Sequence, residues 1–160
     1  MDELRLESFE TDFWKDVARR KTWDTIIPGE LRETRPVTLT RELIAKFAAG
    51  VGEDNPLYFD EEYAKKTIWG GIVAPPSIHI LLMFACTNTE DWMRSPGTIN
   101  ASQSWFYNVP ARPGDTIHMR GTALDRFIKK DRLFVIHDNV FTNQRGEVVC
   151  TGRGWTIRPQ

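Results

Sequence analysis

The sequence predicts an α+β domain in which one long central helix is wrapped by a curved antiparallel sheet. Three observations carry that expectation. Residues 77–86 are apolar on nearly every side apart from His79, and such a helix has to be buried on most faces. After Pro96-Gly97 the pattern changes to four strand-like segments, 98–108, 115–128, 132–142 and 147–158. The breaks between them are short: Arg112-Pro113-Gly114-Asp115, Lys129-Lys130-Asp131 and Asn143-Gln144-Arg145-Gly146. Breaks of that length join antiparallel neighbours. Helix first and strand run afterwards is the α+β order rather than an alternating one.

The elements follow in chain order. Phe9, Phe13, Trp14 and Val17 recur at helical spacing and predict an amphipathic helix in an N-terminal extension, residues 1–32, packed on a single domain of residues 33–160. Pro28-Gly29 interrupts the chain. Residues 33–39 read as a strand, with Pro36 favouring an edge position or an irregular start. Thr40 is placed to N-cap a helix whose apolar face is Leu43, Ile44 and Phe47, and Gly50 and Gly52 end it. Asn55-Pro56 initiates a turn, and Asp60 caps a short helix through Tyr63 and Ala64. Trp69-Gly70-Gly71 is a flexible connection. Pro75-Pro76 opens the central helix, where a missing N–H leaves nothing unpaired. In the third long strand Val135, His137 and Asn139 alternate with Phe134, Ile136 and Asp138, so His137 and Asp138 face opposite ways and form no dyad.

Composition narrows the function classes. With 160 residues, 41% of them hydrophobic, 27% charged and a net charge of −1, the chain suits one globular domain. It carries no global basic field for nucleic acid or an anionic membrane. Met1 to Glu10 is acidic and lacks the apolar core of a signal peptide. The longest apolar stretch, Ile78 to Cys86, falls far short of the roughly 20 residues that span a bilayer. A cytoplasmic protein is therefore expected. The two cysteines, Cys86 and Cys150, read as buried free thiols. The three histidines, His79, His118 and His137, are scattered, and no Cys/His spacing resembles a zinc site. Neither a metal nor another cofactor is expected. His79 reads as a satisfied core histidine and His118 as solvent-facing. Trp69, Trp105 and Phe106 are candidates for an acyl or interface groove, with the core as the favoured place for them. Arg112, Lys129 and Lys130 read as solvated turn residues.

Three local sequences carry a family likeness. Gly52-Glu53-Asp54-Asn55-Pro56-Leu57-Tyr58-Phe59-Asp60 resembles the hydratase motif Gly-Asp-x-Asn-Pro-hydrophobic-His-x-Asp of MaoC-like (R)-specific enoyl-CoA hydratases. Tyr63 to Thr67, followed by Trp69-Gly70-Gly71-Ile72-Val73-Ala74-Pro75-Pro76, resembles the segment that leads into that family's central helix, where the usual ending is Ala-His-Gly. Pro110-Ala111-Arg112-Pro113-Gly114-Asp115-Thr116-Ile117 is similar to its turn between the first two long strands. The Ala-Pro-Pro ending and the Asn-Pro-Leu-Tyr wording resemble the FAS1-like, N-terminal type of MaoC dehydratase domain. The resemblance implies the hot-dog fold, a dehydratase or hydratase of acyl thioesters in fatty acid metabolism, and pairing with a second hot dog.

Hydration of an enoyl thioester needs a base to activate water, an acid to protonate the α-carbon and a donor for the enolate oxygen. In the family an aspartate and a histidine handle water and proton, and a backbone N–H at the start of the central helix meets the carbonyl. The resemblance places the aspartate at Glu53, one methylene longer; a misplacement of about 1 Å costs about a hundredfold in rate. It places the histidine at Tyr58, a phenol that donates a proton but is a poor base near neutrality. It places the N–H at Pro76, which has none. Asp54 falls on a variable position and reads as a solvated turn residue, and Asn55 as holding its own loop.

The candidate set is thus Glu53 and Tyr58 for catalysis, with Asn55, Trp69, Gly70, Gly71 and Pro76 for substrate binding. The expected role is the non-catalytic or acyl-binding half of a dehydratase, with an acyl-CoA or acyl-carrier-protein thioester as ligand. It would form a homodimer, or a heterodimer with a second MaoC-like subunit. The alternatives are a self-sufficient hydratase with a Glu53/Tyr58 site, an acyl-CoA-binding scaffold and a hot-dog thioesterase.

Overall fold

The computed structural model describes residues 26–32, 34–87 and 98–158. The helix expected around Phe9, Phe13, Trp14 and Val17 lies outside the described residues. Within them the order is β1 (Val37–Thr38), α1 (Arg41–Gly50), α2 (Glu61–Lys65), α3 (His79–Ala85), β2 (Ile99–Tyr107), β3 (Thr116–Lys129), β4 (Arg132–Thr142) and β5 (Val148–Arg158). Short 3-10 turns at Pro56–Tyr58 and Pro76–Ile78 precede α2 and α3. The strands form one five-stranded sheet in the order β1-β3-β4-β5-β2, with every pairing antiparallel.

Local chemistry explains the well-formed elements. Thr40 caps α1 by accepting from the Leu43 N–H at 3.1 Å, and Asp60 caps α2 by accepting from the Tyr63 N–H at 3.0 Å. Lys130 and Asp131, with φ of 51° and 54°, make the two-residue turn between β3 and β4; positive φ at both central positions matches the twist of the joined strands. Bulges at Ala123/Asp125 and Asn100/Ser102 add curvature.

Strand parity sorts the side chains. Leu133, Val135, His137, Asn139 and Phe141 of β4 are buried on the inner face, with Ile117, Met119 and Ala123 of β3. The main core joins Phe141, Ile117 and Met119 to Ile44 of α1, to Ile78 from the 3-10 turn, and to Leu82, Met83 and Ala85 of α3, while Leu133, Val135 and Ala123 form a second cluster with Ile26. A sheet curled over a central helix is the hot-dog arrangement, and it places the α3 entry against the inner face of the sheet.

Three expectations differ from the structure. The strand expected over 33–39 narrows to Val37–Thr38, with isolated bridges at Leu31↔Thr122 and Thr34↔Thr87. Pro36 has no N–H to lend to a longer ladder. The helix expected over 77–86 begins as the 3-10 turn and becomes α-helical over His79–Ala85. The third concerns the aromatics. Trp105 packs on the core, but Phe106 is 71% exposed and Trp69 40% exposed. Phe106 follows Trp105 on a strand and so points to the other face.

Candidate functional site

The 52–60 loop is built by its own backbone. Gly52, with φ of +77°, takes the left-handed turn that ends α1. Asn55 Oδ1 accepts from the Leu57 N–H at 3.0 Å, and the Tyr58 N–H donates to the Asn55 carbonyl at 3.1 Å. Asn55 thus holds the turn. The Glu53 N–H donates to the Ala48 carbonyl at 2.9 Å, which fixes the start of the loop to α1.

This scaffold turns Tyr58 inward. The ring packs with Ala48 and Val73, flanked by Leu57 and Phe59. Val73 lies three residues before Pro76, so the loop and the α3 entry meet through this contact. The hydroxyl makes no hydrogen bond with the described residues and keeps contact with solvent. Burial pushes the Tyr58 phenol up from its ordinary value, and the Glu53 carboxylate adds to the push. Glu53 and Tyr58 therefore sense each other electrostatically without a hydrogen bond, and Tyr58 stays protonated at neutral pH.

The remaining candidates separate. Trp69-Gly70-Gly71 is strapped to the β2–β3 turn, where Arg112 Nη2 donates to the Trp69 carbonyl at 2.7 Å. Arg112 is a tie rather than a merely solvated turn residue. Gly70 has φ of +66°, and a Cβ on Gly71 would sit 3.7 Å from Glu61 Oε1 and 3.8 Å from Arg112 Nη1. Pro76 is exposed at the start of its 3-10 turn, and Pro75 offers no side-chain cap.

Next to Pro76 lies a cluster that sequence reasoning missed. His79 Nδ1 is 2.9 Å from the Pro76 carbonyl and 3.0 Å from Tyr107 Oη. The imidazole lies against Trp105, with ring centroids 4.2 Å apart. Burial lowers the His79 pKa, partly opposed by the Pro76 carbonyl, so the ring is neutral near pH 7. Burial also raises the Tyr107 phenol, and the neighbouring Cys150 adds to it. His79 is the core histidine its sequence context predicts, and Tyr107 is the member of the cluster with no motif of its own. Strand parity was the signal for it, because Tyr107 shares the face of Trp105.

A second polar group lies under the sheet. Arg32 is 6% exposed, donates to Asn139 Oδ1 at 2.9 Å and Thr87 Oγ1 at 2.6 Å, and pairs through its backbone with Gly121. Asn139 Nδ2 lies 3.1 Å from His137 Nδ1. Asp138, on the other face, instead takes a two-pronged Arg153 contact at 2.7 and 2.8 Å. His118 is exposed as expected, and Cys86 and Cys150 are buried free thiols with pKa values pushed up to about 12 by burial. Among the described residues no cluster of ligand-type side chains is arranged for a metal, and no helix is long and apolar enough to cross a membrane.

Fold and site together define a hot-dog domain of the MaoC-like dehydratase and hydratase class, with an altered motif loop. Residues 27–152 match the family described as FAS1-like, dehydratase domain region, and the chain belongs to it. A UPF0336 protein of Thermobifida fusca is 27% identical over 122 residues, which are 72% of this chain and 80% of the relative. A MaoC-like dehydratase from Rhodospirillum rubrum superposes with a TM-score of 0.75 at 26% identity, covering 86% of this chain and 98% of its own. A chain of the HadBC (3R-hydroxyacyl-ACP dehydratase) complex of Mycobacterium tuberculosis has the same fold, with a TM-score of 0.70 at 24% identity over 84% of this chain and 98% of its own.

Proposed function

We propose that this protein is the acyl-binding, non-catalytic half of a MaoC-like dehydratase, cytoplasmic and paired with a second hot-dog subunit that supplies the general base. The observation that carries the reading is Tyr58. By the motif resemblance it stands where the family has its histidine, and burial together with Glu53 drives its pKa upward. A phenol shifted that way holds its proton and cannot abstract one from water near pH 7. Pro76 supports the same reading, since it has no N–H for the thioester carbonyl. The edge strand β2 supports pairing. It exposes Ile99, Phe106 and Tyr107 and, among the described residues, ends the sheet. The HadBC neighbour is itself a heteromeric dehydratase. The acyl group rides on CoA or an acyl carrier protein, in fatty acid metabolism.

The test is hydration of crotonyl-CoA by the purified chain, alone and with the hot-dog protein that co-purifies with it. Activity only in the pair is the expected result. A turnover by the chain alone that matches the pair would overturn the assignment. One observation favours a second reading: the Glu53 carboxylate lies close enough to raise Tyr58. If the two act as base and acid, Glu53→Gln and Tyr58→Phe each remove most of an activity shown by the chain alone. Unchanged rates in both variants reject that reading.

A further inference from the structure

The cluster at the α3 entry has a hydrogen-bond logic that fixes where its protons point. The Pro76 carbonyl can only accept, so the His79 Nδ1 that lies 2.9 Å from it carries the ring's proton. The ring is neutral near pH 7, so Nε2 is then the lone-pair nitrogen. Tyr107 Oη lies 3.0 Å from the same Nδ1–H. It shares that proton as an acceptor, and its own O–H is left to donate elsewhere. If Tyr107 instead donated to Nδ1, the nitrogen's lone pair would face the carbonyl oxygen at 2.9 Å, which is repulsive.

The hydroxyl is also held in place. Trp105 packs against the imidazole in a tilted contact with centroids 4.2 Å apart, and Trp105 is itself bonded through Nε1 to Gln103 Oε1 at 3.0 Å. Tyr107 is 50% exposed, on the inner face of the edge strand β2. A fixed donor, satisfied as an acceptor and open at one end, stands beside a proline that offers no N–H.

We infer that the Tyr107 hydroxyl is the hydrogen-bond donor to the thioester carbonyl of the bound acyl group, with His79 as its positioning residue. The inference rests on the acyl-binding reading above. It requires no helix-end N–H and no charged group. An oriented neutral donor in a partly dry site gains most when its partner oxygen carries partial negative charge, as a conjugated thioester carbonyl does.

The test uses 2,4-hexadienoyl-CoA, whose conjugated chromophore shifts to the red when its carbonyl accepts a hydrogen bond, and the matching thioether that lacks the carbonyl. Both are titrated into the full chain together with any co-purifying partner. Tyr107→Phe is expected to lose the red shift and bind the thioester about tenfold more weakly, about 1.4 kcal/mol. Wild type and variant are expected to bind the thioether alike. His79→Asn, which preserves an N–H near the Nδ1 position, keeps the shift, and His79→Leu loses it. An undiminished shift in Tyr107→Phe overturns this assignment alone, as does an equal loss of thioether binding, which would mark a structural role. Failure of the wild-type protein to bind either probe overturns the acyl-binding reading and this inference with it.

Discussion

Gly152 gives the sharpest handle on how the sheet holds the α3 cluster. It sits opposite Trp105 in the β2–β5 register, and a Cβ built there runs into the Cε3, Cζ3 and Cδ2 atoms of the indole. The partly buried indole is held on several sides. His79 lies on it at 4.2 Å, Phe141 flanks it at 6.0 Å, and Nε1 is tied to Gln103. Overpacking of this kind costs about 1–3 kcal/mol. Replacing a strand glycine also recovers about 0.5–1 kcal/mol of chain entropy. The net expectation for Gly152→Ala is a loss of about 1–2 kcal/mol, or a fall in Tm of roughly 3–6 °C for a chain of this size. In a Trp105→Ala background the overlap is gone and only the entropy gain remains. The same methyl should then be neutral or stabilising by about 0.5–1 kcal/mol. Urea denaturation of the four proteins in the cycle measures both values. An equal loss in the two backgrounds would refute the argument, because it would place the cost in the backbone rather than at the indole.

Acid should act through His79. Its folded pKa lies below the ordinary 6.5, chiefly because of burial. The stability it contributes is present above the ordinary value and is lost as pH falls through the lowered folded value. Wild type should therefore lose more stability between pH 7.5 and 5 than His79→Asn; parallel urea midpoints across that range contradict this. Asp115, 2% exposed, accepts from the Arg112 N–H at 2.9 Å and from Arg145 Nη1 at 3.1 Å. Asp115→Ala should cost about 1–3 kcal/mol through the orphaned turn N–H, and Arg145→Ala, whose guanidinium is screened by solvent, clearly less. Equal thermal shifts in the two would show that the ion pair dominates instead. Cys86 and Cys150, both with pKa values of about 12, should react with a thiol reagent only as fast as the protein unfolds. Fast labelling of the native protein at pH 8 would rule out their burial.

The long hairpins were legible because their signals are local. Period-2 alternation and turn residues such as Lys130-Asp131 act within a few positions, and β3, β4 and β5 fall within two residues of their expected bounds. The β3 edge was not legible, because its partner segment pairs without a pattern. Gly29 N–H donates to the Ala123 carbonyl and Arg32 N–H to the Gly121 carbonyl, yet Gly29, Leu31 and Arg32 form no alternating run. The two prolines at 75 and 76 predict the opening of an α-helix. They set a 3-10 turn first, in which the Ile78 N–H reaches the Pro75 carbonyl at 2.9 Å. Arg32 left no trace at all, since a charged residue after a Pro-Gly break looks solvated until the fold closes over it.

The candidate site divides along the same line. The motif loop was readable because Asn55, Asp60 and Gly52 act on their own neighbours, and the structure keeps each of those contacts. The His79–Tyr107 contact joins residues 28 apart, and no local pattern reports it. What the sequence did contain was parity: if Trp105 is core, Tyr107 faces the same way, and His79 is the polar residue on the buried helix. Tyr107 is half-exposed and could satisfy its hydroxyl with water, so parity brings the two groups to one region without dictating the bond. The structure places them 3.0 Å apart. Because the Pro76 carbonyl claims the imidazole proton as well, the meeting leaves the phenol as the donor with a proton to spare.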